Sequence, residues 1–221
     1  MYYFASDIHL GAGDAATARA VERRFVAWLD DAARDAEAIF LVGDIFDFWF
    51  EYRRVVPKGF VRTLGKLAEL TDRGVRVVFF TGNHDMWVGD YLARECGLEI
   101  HTSPEVMTLS GSRTLRWLFS WGVHPDWALR FGHWWSGRSR KGHGEEAARG
   151  ASLTEPYTGS SEPHTEPLVE YAREYSRTHA VDLFVFGHMH FPRDCREGRL
   201  HVVNLGCWAE NPSYAVLDAA G

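Results

Sequence analysis

The chain has 221 residues, 46% of them hydrophobic, so it is long enough for one α/β domain with a well-buried core. Its formal net charge of -6 argues against a nucleic-acid-binding protein, because phosphate backbones favour basic surfaces. Three scattered cysteines, no signal peptide and no apolar run of roughly 20 residues argue against disulfide-stapled or membrane-spanning proteins and predict a cytoplasmic one.

Strand and helix patterns alternate over the first hundred residues. Continuous apolar runs predict three buried strands, at Tyr2–Ser6, Ala38–Val42 and Val75–Phe80. Apolar residues at helical spacing predict three helices, at Thr17–Ala36, Val61–Thr71 and Tyr91–Cys96. Strands that alternate with helices favour parallel βαβ units, in which ligands bind at the carboxyl ends of the strands.

Residues 112–165 break this alternation. Arg113–Trp135 is rich in Trp, Phe, Leu and Arg and predicts one or two helices, the first of which includes Leu115–Phe119. Residues 136–165 contain many Gly, Ser, Thr and Pro residues and predict a mobile loop. We therefore expect a core of residues 1–111 and 166–221, with residues 112–165 inserted as a helical cap and loop.

The α/β pattern resumes after this insertion. Glu166–Thr178 predicts a helix, and Asp182–Phe186 predicts a buried strand. Leu200–Asn204 and Ser213–Leu217 predict a last pair of strands that completes a sheet. The chain therefore predicts one α/β domain with a single insertion.

Four short polar segments follow four of the predicted strands. They are Asp7-Ile8-His9, Gly43-Asp44-Ile45-Phe46-Asp47, Gly82-Asn83-His84-Asp85 and Gly187-His188-Met189-His190. Because alternate residues share one face of a strand, Asp7 and His9 are expected to reach one ion together. A carboxylate directly after a buried strand, such as Asp44, is costly to desolvate unless it is paired or binds a metal. Carboxylate, amide and imidazole donors without a thiolate suit Mn²⁺, Fe²⁺ or Zn²⁺.

Structural explanations for single segments stay open at this point. Asp7 and His9 could lie by chance in an exposed loop, and Asp47 could cap a helix or orient a ligand. Residues 83–85 could cap the helix that follows them. If the site is catalytic, His84 could donate a proton or a hydrogen bond to a phosphoryl oxygen, and Asp85 could fix the tautomer of His84.

The ordered set of segments resembles the calcineurin-like metallophosphoesterase superfamily over nearly the whole chain. The resemblance implies a four-layer α/β/β/α sandwich and a centre with two divalent ions, Mn²⁺ foremost. Its implied ligands are Asp7, His9 and His190 for one ion, Asn83 and His188 for the other, and Asp44 as the bridge. It also implies that a bridging hydroxide attacks phosphorus in line, assisted by His84.

A closer likeness is to UDP-2,3-diacylglucosamine diphosphatase and its relatives. It is carried by residues 7–11, 43–49 and 82–87, by His124-Pro125-Asp126, by Ser139-Arg140-Lys141 and by residues 203–208. That family hydrolyses the pyrophosphate of a UDP-linked diacyl sugar in lipid A synthesis and holds the acyl chains with a helical insertion. The likeness implies a nucleotide-linked lipid substrate and cap contact with the inner face of a membrane. It implies Arg138, Ser139 and Lys141 as contacts for the substrate phosphates.

One ligand of the superfamily is missing from the sequence. A His-Gly-Asp normally ends a strand between Asn83 and His188 and supplies a ligand to the second ion. Here Val106–Leu109 predicts the hairpin that leads to this strand, but the chain then passes directly to Leu115–Phe119. The segment is either deleted, omitted from this sequence, or replaced by another histidine, for which the candidates in the cap or loop are His124, His133 and His143.

Three hypotheses about function follow. The first is metal-dependent hydrolysis of UDP-2,3-diacylglucosamine to UMP and a lipid sugar 1-phosphate. The second is a calcineurin-like phosphoesterase that acts on another nucleotide or phosphodiester. The third, motivated by the missing ligand, is a catalytically impaired metal-binding pseudoenzyme.

Overall fold

The computed structural model describes residues 1–103, 105–108, 116–120, 167–208 and 211–218. These residues form ten strands in two sheets, together with four helices. The strands are β1 (Tyr2–Ala5), β2 (Ala38–Val42), β3 (Arg76–Phe80), β4 (Glu99–His101), β5 (Glu105–Thr108), β6 (Arg116–Ser120), β7 (Leu183–Phe186), β8 (Pro192–Glu197), β9 (Leu200–Leu205) and β10 (Ala215–Leu217). The helices are α1 (Ala15–Ala32), α2 (Val61–Asp72), α3 (Tyr91–Cys96) and α4 (Pro167–Ser176).

Each sheet contains five strands. The first has the order β10-β1-β2-β3-β4, in which β1 to β4 are parallel and β10 is antiparallel to β1. The second has the order β5-β6-β7-β9-β8, in which β6, β7 and β9 are parallel and the two edge strands are antiparallel. The four polar segments directly follow the carboxyl ends of parallel strands.

The two sheets stack with helices on both outer faces. In β2, Ile39 and Leu41 pack in the same cluster as α1, α2 and α3, whereas Phe40 and Val42 pack against residues of the second sheet such as Val185. Helix α4 covers the other side of the second sheet, where its residues pack with β7 and β9. This alternation along a fully buried strand explains its continuous apolar sequence. The predicted four-layer α/β/β/α fold is confirmed.

The predicted helices and strands of the first hundred residues are confirmed within a few residues of their ends. Helix α1 begins earlier than predicted because the Asp14 carboxylate accepts a hydrogen bond from the Thr17 N–H at 2.7 Å and caps the helix. Helix α3 ends as predicted at Gly97, which has a φ of 67°.

Three predictions about the second half of the chain are wrong or incomplete. Leu115–Phe119 was predicted as helix, but Arg116–Ser120 is the strand β6, which pairs with β5 and β7. A short aromatic run fits either structure, and the neighbouring strands decide between them. The last two strands do not pair with each other, because β9 lies between β7 and β8 and β10 pairs with β1. Strand β8 was not predicted, and neither was β4, which lies in the first half of the chain.

The rest of the predicted cap and loop, residues 112–115 and 121–165, lies outside the described residues. The division into core and cap therefore stays a prediction. Within the part of the chain that the structure describes, every helix is too short or too polar to traverse a bilayer.

Candidate active site

The predicted metal ligands lie at the carboxyl ends of four parallel strands. Asp7 and His9 follow β1, Asp44 follows β2, Asn83 follows β3, and the two histidines of the last segment, His188 and His190, follow β7. Backbone hydrogen bonds join the first two loops, from the Asp7 N–H to the Gly43 carbonyl and from the His9 N–H to the Asp44 carbonyl, both at 3.1 Å. The loops therefore present their side chains from one connected frame.

The backbone at these residues is left-handed rather than extended. Six described residues other than glycine have positive φ, and five of them are predicted ligands: Asp7 (51°), His9 (49°), Asp44 (53°), His188 (69°) and His190 (54°). The prediction that strand alternation brings Asp7 and His9 together was therefore wrong in its mechanism. Such conformations cost on the order of 1–3 kcal/mol each and cluster at functional sites.

Side chains from the two ends of the chain meet at this edge of the sheets. The Asp7 Oδ1 atom lies 3.4 Å from His190 Nε2 and 3.9 Å from His9 Nε2. The two imidazole Nε2 atoms are 3.4 Å apart. Asp7, His9 and Asp44 also present one ligand atom each within 4.8 Å of one another. These groups are close enough to share an ion.

Each of the two buried carboxylates predicted as ligands has one oxygen that accepts a backbone hydrogen bond and one that makes no hydrogen bond. Asp7 Oδ2 accepts a hydrogen bond from the His188 N–H at 2.8 Å, and Asp44 Oδ1 accepts one from the His84 N–H at 2.9 Å. Asp7 Oδ1, Asp44 Oδ2 and His9 Nδ1 are buried and make no hydrogen bond. Buried polar atoms without partners are costly. A divalent cation between these atoms removes that cost, so the residues fit a metal.

Two motif glycines let the strand ends approach the carboxylates. A Cβ atom at Gly82 would collide with the backbone N and the carboxylate of Asp44. A Cβ atom at Gly187 would lie 2.7 Å from Asp7 Oδ2 and 2.8 Å from Ser6 Oγ. Larger residues at either position would displace the carboxylates from the site.

The ring of His84 lies beside that of His9, with 4.8 Å between the ring centroids. Its Nδ1 atom lies 2.8 Å from the Asp47 carbonyl oxygen. Because a carbonyl only accepts, Nδ1 carries the proton, and Nε2 is the ring atom that remains for substrate. Asp47 does not cap a helix, since α2 begins only at Val61.

The prediction that Asp85 fixes the tautomer of His84 was wrong. The Asp85 carboxylate accepts hydrogen bonds from the backbone N–H groups of Ile45 at 2.8 Å, Phe46 at 3.3 Å and Gly82 at 2.6 Å. Asp85 therefore holds the loops after β2 and β3 together. Residues 83–85 do not cap the next helix either, because α3 begins at Tyr91 after Asp90.

The sequence that contains this site matches a known protein family. Residues 2–192 match the family described as calcineurin-like phosphoesterase. The chain belongs to this family. The predicted family, and hydrolysis of phosphoester or phosphoanhydride bonds as its reaction class, are confirmed.

Relatives of this phosphoesterase extend the comparison. A protein of Porphyromonas gingivalis named UDP-2,3-diacylglucosamine hydrolase is 38% identical, over 98% of this chain and 93% of that protein. A protein of the same name from Pseudomonas aeruginosa is 34% identical, but over only 51% of this chain and 45% of that protein. Among solved structures, a dimetal phosphatase from Danio rerio has a TM-score of 0.51 at 12% identity, covering 96% of this chain and 90% of that one. The last match supports the fold alone.

The alignment with the Porphyromonas gingivalis protein is longer than this phosphoesterase. It runs over 245 residues, which exceeds the 221 residues of the chain by 24. That relative therefore contains residues without a counterpart in this chain. The observation agrees with a shortened segment, one of the explanations for the missing His-Gly-Asp.

Burial sets the ionisation of the phosphoesterase site. Burial, together with repulsion from Asp44, raises the pKa of the Asp7 carboxyl to about 6, although the His188 N–H offsets part of this rise. Burial raises the pKa of Asp85 to about 7, against the effect of its backbone hydrogen bonds. Burial lowers the pKa of His9. Burial therefore favours the neutral imidazole of His9, the form that can ligate a metal, and disfavours the ionised Asp7 carboxylate that ligation requires.

The metal affinity of the phosphoesterase is expected to fall as the pH falls through about 6. A protonated Asp7 must lose its proton before it can ligate a cation, so the affinity should drop by roughly tenfold per pH unit below that value. Titration calorimetry with Mn²⁺ between about pH 5 and about pH 8 measures the slope. In the Asp7→Asn variant, the Mn²⁺ affinity should be lower and should depend less steeply on pH. Equal affinity of the unaltered protein at both ends of this range would contradict the prediction.

For several predicted site residues, the structure gives no contact that supports the predicted role. Asn83 is exposed, and its role as a ligand stays a prediction. Arg138, Ser139 and Lys141 lie outside the described residues. So do the three candidate replacement histidines, His124, His133 and His143.

Sequence reasoning missed two features of this site. The first is an exposed apolar rim formed by Phe48, Met86 and Trp87, with 6.1 Å between the ring centroids of Phe48 and Trp87. The second is Cys207, whose Sγ atom lies within 4.8 Å of ring nitrogens of His9 and His190, where a site without thiolate was expected. Both signals were in the sequence, since the rim residues directly follow the second and third polar segments and Cys207 follows the predicted strand Leu200–Asn204.

Proposed function

We propose that this phosphoesterase hydrolyses the pyrophosphate bond of UDP-2,3-diacylglucosamine and releases UMP and a lipid sugar 1-phosphate. The observation that carries the proposal is the 38% identity to a UDP-2,3-diacylglucosamine hydrolase over nearly the full length of both proteins. It is supported by two buried carboxylates that each keep one oxygen without a partner, as a hydrolytic metal centre requires.

The proposed centre contains two divalent ions, foremost Mn²⁺, with Fe²⁺ and Zn²⁺ as the other metals that suit the donors. Asp7, His9 and His190 would hold one ion, Asn83 and His188 the other, and Asp44 would lie between them. When bound, the ions supply Lewis-acid activation of water and of the phosphoryl group. The left-handed backbone and the His188 and His84 N–H groups hold the carboxylates in position before the ions bind.

His84 is proposed as the residue that meets the reacting phosphate. Its Nδ1–H is committed to the Asp47 carbonyl, which fixes the ring and leaves Nε2 for the substrate. Its side chain is 40% exposed, so a phosphate can reach this atom. With both ring nitrogens protonated, His84 would donate a hydrogen bond or a proton from Nε2 to a phosphoryl or leaving-group oxygen, where negative charge develops.

The lipid part of the substrate is proposed to lie against the apolar rim and the cap. Phe48 is 57% exposed and Trp87 48%, although both are large apolar side chains next to a polar site. Exposed apolar patches of this kind mark binding surfaces. We assign the acyl chains to the rim and to the part of the predicted cap that follows β6, residues 121–165, the phosphate contacts to Arg138, Ser139 and Lys141, and the contact with the inner face of the membrane to the cap.

The activity is tested with UDP-2,3-diacylglucosamine and Mn²⁺. Release of UMP together with the lipid sugar 1-phosphate, abolished by a chelator and restored by Mn²⁺, is the expected result. A soluble UDP-sugar without acyl chains serves as the matched substrate and should react far more slowly. Hydrolysis of cyclic nucleotides or aryl phosphates alone would replace this proposal by a phosphoesterase of another substrate class.

A catalytically impaired metal-binding protein is the second candidate, favoured by one observation. Strand β6 ends at Ser120 and is followed in sequence by Trp121-Gly122, whereas the family pattern has His-Gly-Asp at such a strand end. Elemental analysis after dialysis against Mn²⁺ distinguishes the candidates. One ion or none per chain without turnover supports the impaired protein, whereas two ions with robust turnover exclude it.

A further inference from the structure

A sulfur atom lies beside the Asp7, His9 and His190 group. Cys207 is buried, with 4% of its surface exposed, and belongs to the described thiols that form no disulfide. Its Sγ atom and ring nitrogens of His9 and His190 all lie within 4.8 Å of one another. Among the described residues, Cys207 is the one of the three thiols that lies this close to two imidazole rings.

The backbone fixes the position of this thiol. Cys207 follows β9 in a turn that begins with Gly206 at a φ of 77°. A Cβ atom on Gly206 would lie 2.6 Å from Ser213 Oγ, so the turn requires glycine. The next residue, Trp208, donates its backbone N–H to the Asp7 carbonyl at 3.0 Å and its indole N–H to the Ser213 carbonyl at 2.8 Å. The loop that carries the thiol is therefore joined directly to the loop that carries the first carboxylate.

A second observation indicates a ligand in the same space. Asp7 is fully buried, and its Oδ1 atom makes no hydrogen bond although it lies 3.4 Å from His190 Nε2. His9 is more than nine-tenths buried, and its Nδ1 atom also makes no hydrogen bond, although Asp47 Oδ1 lies 3.7 Å away. The Asp7 Oδ1 atom and the Cys207 thiol each lie close to ring nitrogens of His9 and His190, so a carboxylate, two imidazoles and a thiol are available there as donors for a cation.

We propose that Cys207 supplies a sulfur ligand to the ion held by Asp7, His9 and His190. The thiol would lose its proton to solvent as the sulfur–metal bond forms. Imidazole and thiolate donors prefer Zn²⁺, Fe²⁺ and Co²⁺, whereas Mn²⁺ prefers oxygen. This position would therefore select a softer metal than the Mn²⁺ proposed above. The inference rests on the proposed metal centre and adds a donor and a metal preference to it.

Spectroscopy of the Co²⁺-loaded protein tests the proposal, because Co²⁺ reports both its presence and its ligands. The unaltered chain should show visible d–d bands and, in the near ultraviolet, a sulfur-to-cobalt charge-transfer band. Cys207→Ser should keep the d–d bands and lose the charge-transfer band. The matched control is Cys195→Ser, on the edge strand β8, which should retain both.

Metal affinity provides an independent readout. Cys207→Ser should weaken Zn²⁺ binding on the order of 10–100-fold and change Mn²⁺ binding much less. X-ray absorption at the zinc edge of the unaltered protein should show one sulfur at about 2.3 Å, a measurement that needs no variant to fold.

The outcomes separate this proposal from the proposed function. Cobalt d–d bands without a charge-transfer band, or a zinc spectrum without sulfur, would overturn the role of Cys207 and leave the metal centre intact. Retention of the charge-transfer band in Cys207→Ser would overturn it as well. Failure of the unaltered protein to bind Co²⁺ or Zn²⁺ would overturn the metal centre together with this ligand.

Discussion

Replacement of Asp44 by asparagine is expected to lower kcat by at least about 10³-fold, since the loss of one preorganised stabilising group already costs about 10²–10³-fold. Asp44 offers its unpartnered Oδ2 to the centre of the site, and a neutral amide cannot balance the charge of two cations there. Steady-state hydrolysis of UDP-2,3-diacylglucosamine at saturating Mn²⁺ measures kcat, and elemental analysis measures the ions that remain bound.

The fold of Asp44→Asn should survive without metal. The amide oxygen can still accept the hydrogen bond from the His84 N–H, and the change removes a charge that raises the pKa of Asp7 and of Asp85. The melting temperature of the metal-free variant should therefore equal or exceed that of the parent. Asp194→Asn, a surface change in an ion pair with His201, is the matched control. Turnover within a few-fold of the parent would remove Asp44 from the proposed centre.

His84→Gln should lower kcat by about 10²–10⁴-fold while the metal content stays unchanged. Its Nδ1–H is used by the Asp47 carbonyl, so the ring acts on the substrate through Nε2 and is not needed to hold an ion. The comparison with Asp44→Asn is informative, because only that variant should lose metal along with turnover. Measurement of kcat and of ions per chain in the same preparations makes the distinction.

His179→Gln is the matched control for this histidine variant. His179 lies on the surface just after α4, stacked on Tyr175, with a centroid separation of 4.0 Å. It should show the kcat and the metal content of the parent. A parallel loss of metal and turnover in His84→Gln would mean that His84 serves the ions rather than the substrate.

The sequence was sufficient for elements whose burial is uniform or strictly periodic. Strand β2 is buried at every residue, so its apolar run had one structural explanation. Strand β8 begins with Pro192 and is half-exposed, and its pairing with β9 does not depend on an apolar pattern. Strand β6 was predicted as helix because its aromatic run is compatible with both periods and its parallel partner β7 lies far away in the sequence.

At the site, the sequence predicted which donors occur but not how they are held. Asp7 and His190 are 183 residues apart, and their approach depends on the order of strands in two sheets. The contacts of Asp85 with backbone N–H groups and of His84 with the Asp47 carbonyl depend on loop conformations that residue types do not encode. Cys207 was overlooked because a lone cysteine has no spacing that marks it as a ligand.

Strand β6 shows that the fold of this family and its set of metal ligands depend on different features of the chain. It occupies the place between β5 and β7 through main-chain pairing, which is largely indifferent to side-chain identity. A chain of this family can therefore close its second sheet with an extended segment whose side chains differ from the usual ones. The presence of every layer of the fold is then no measure of how many donors the metal centre has.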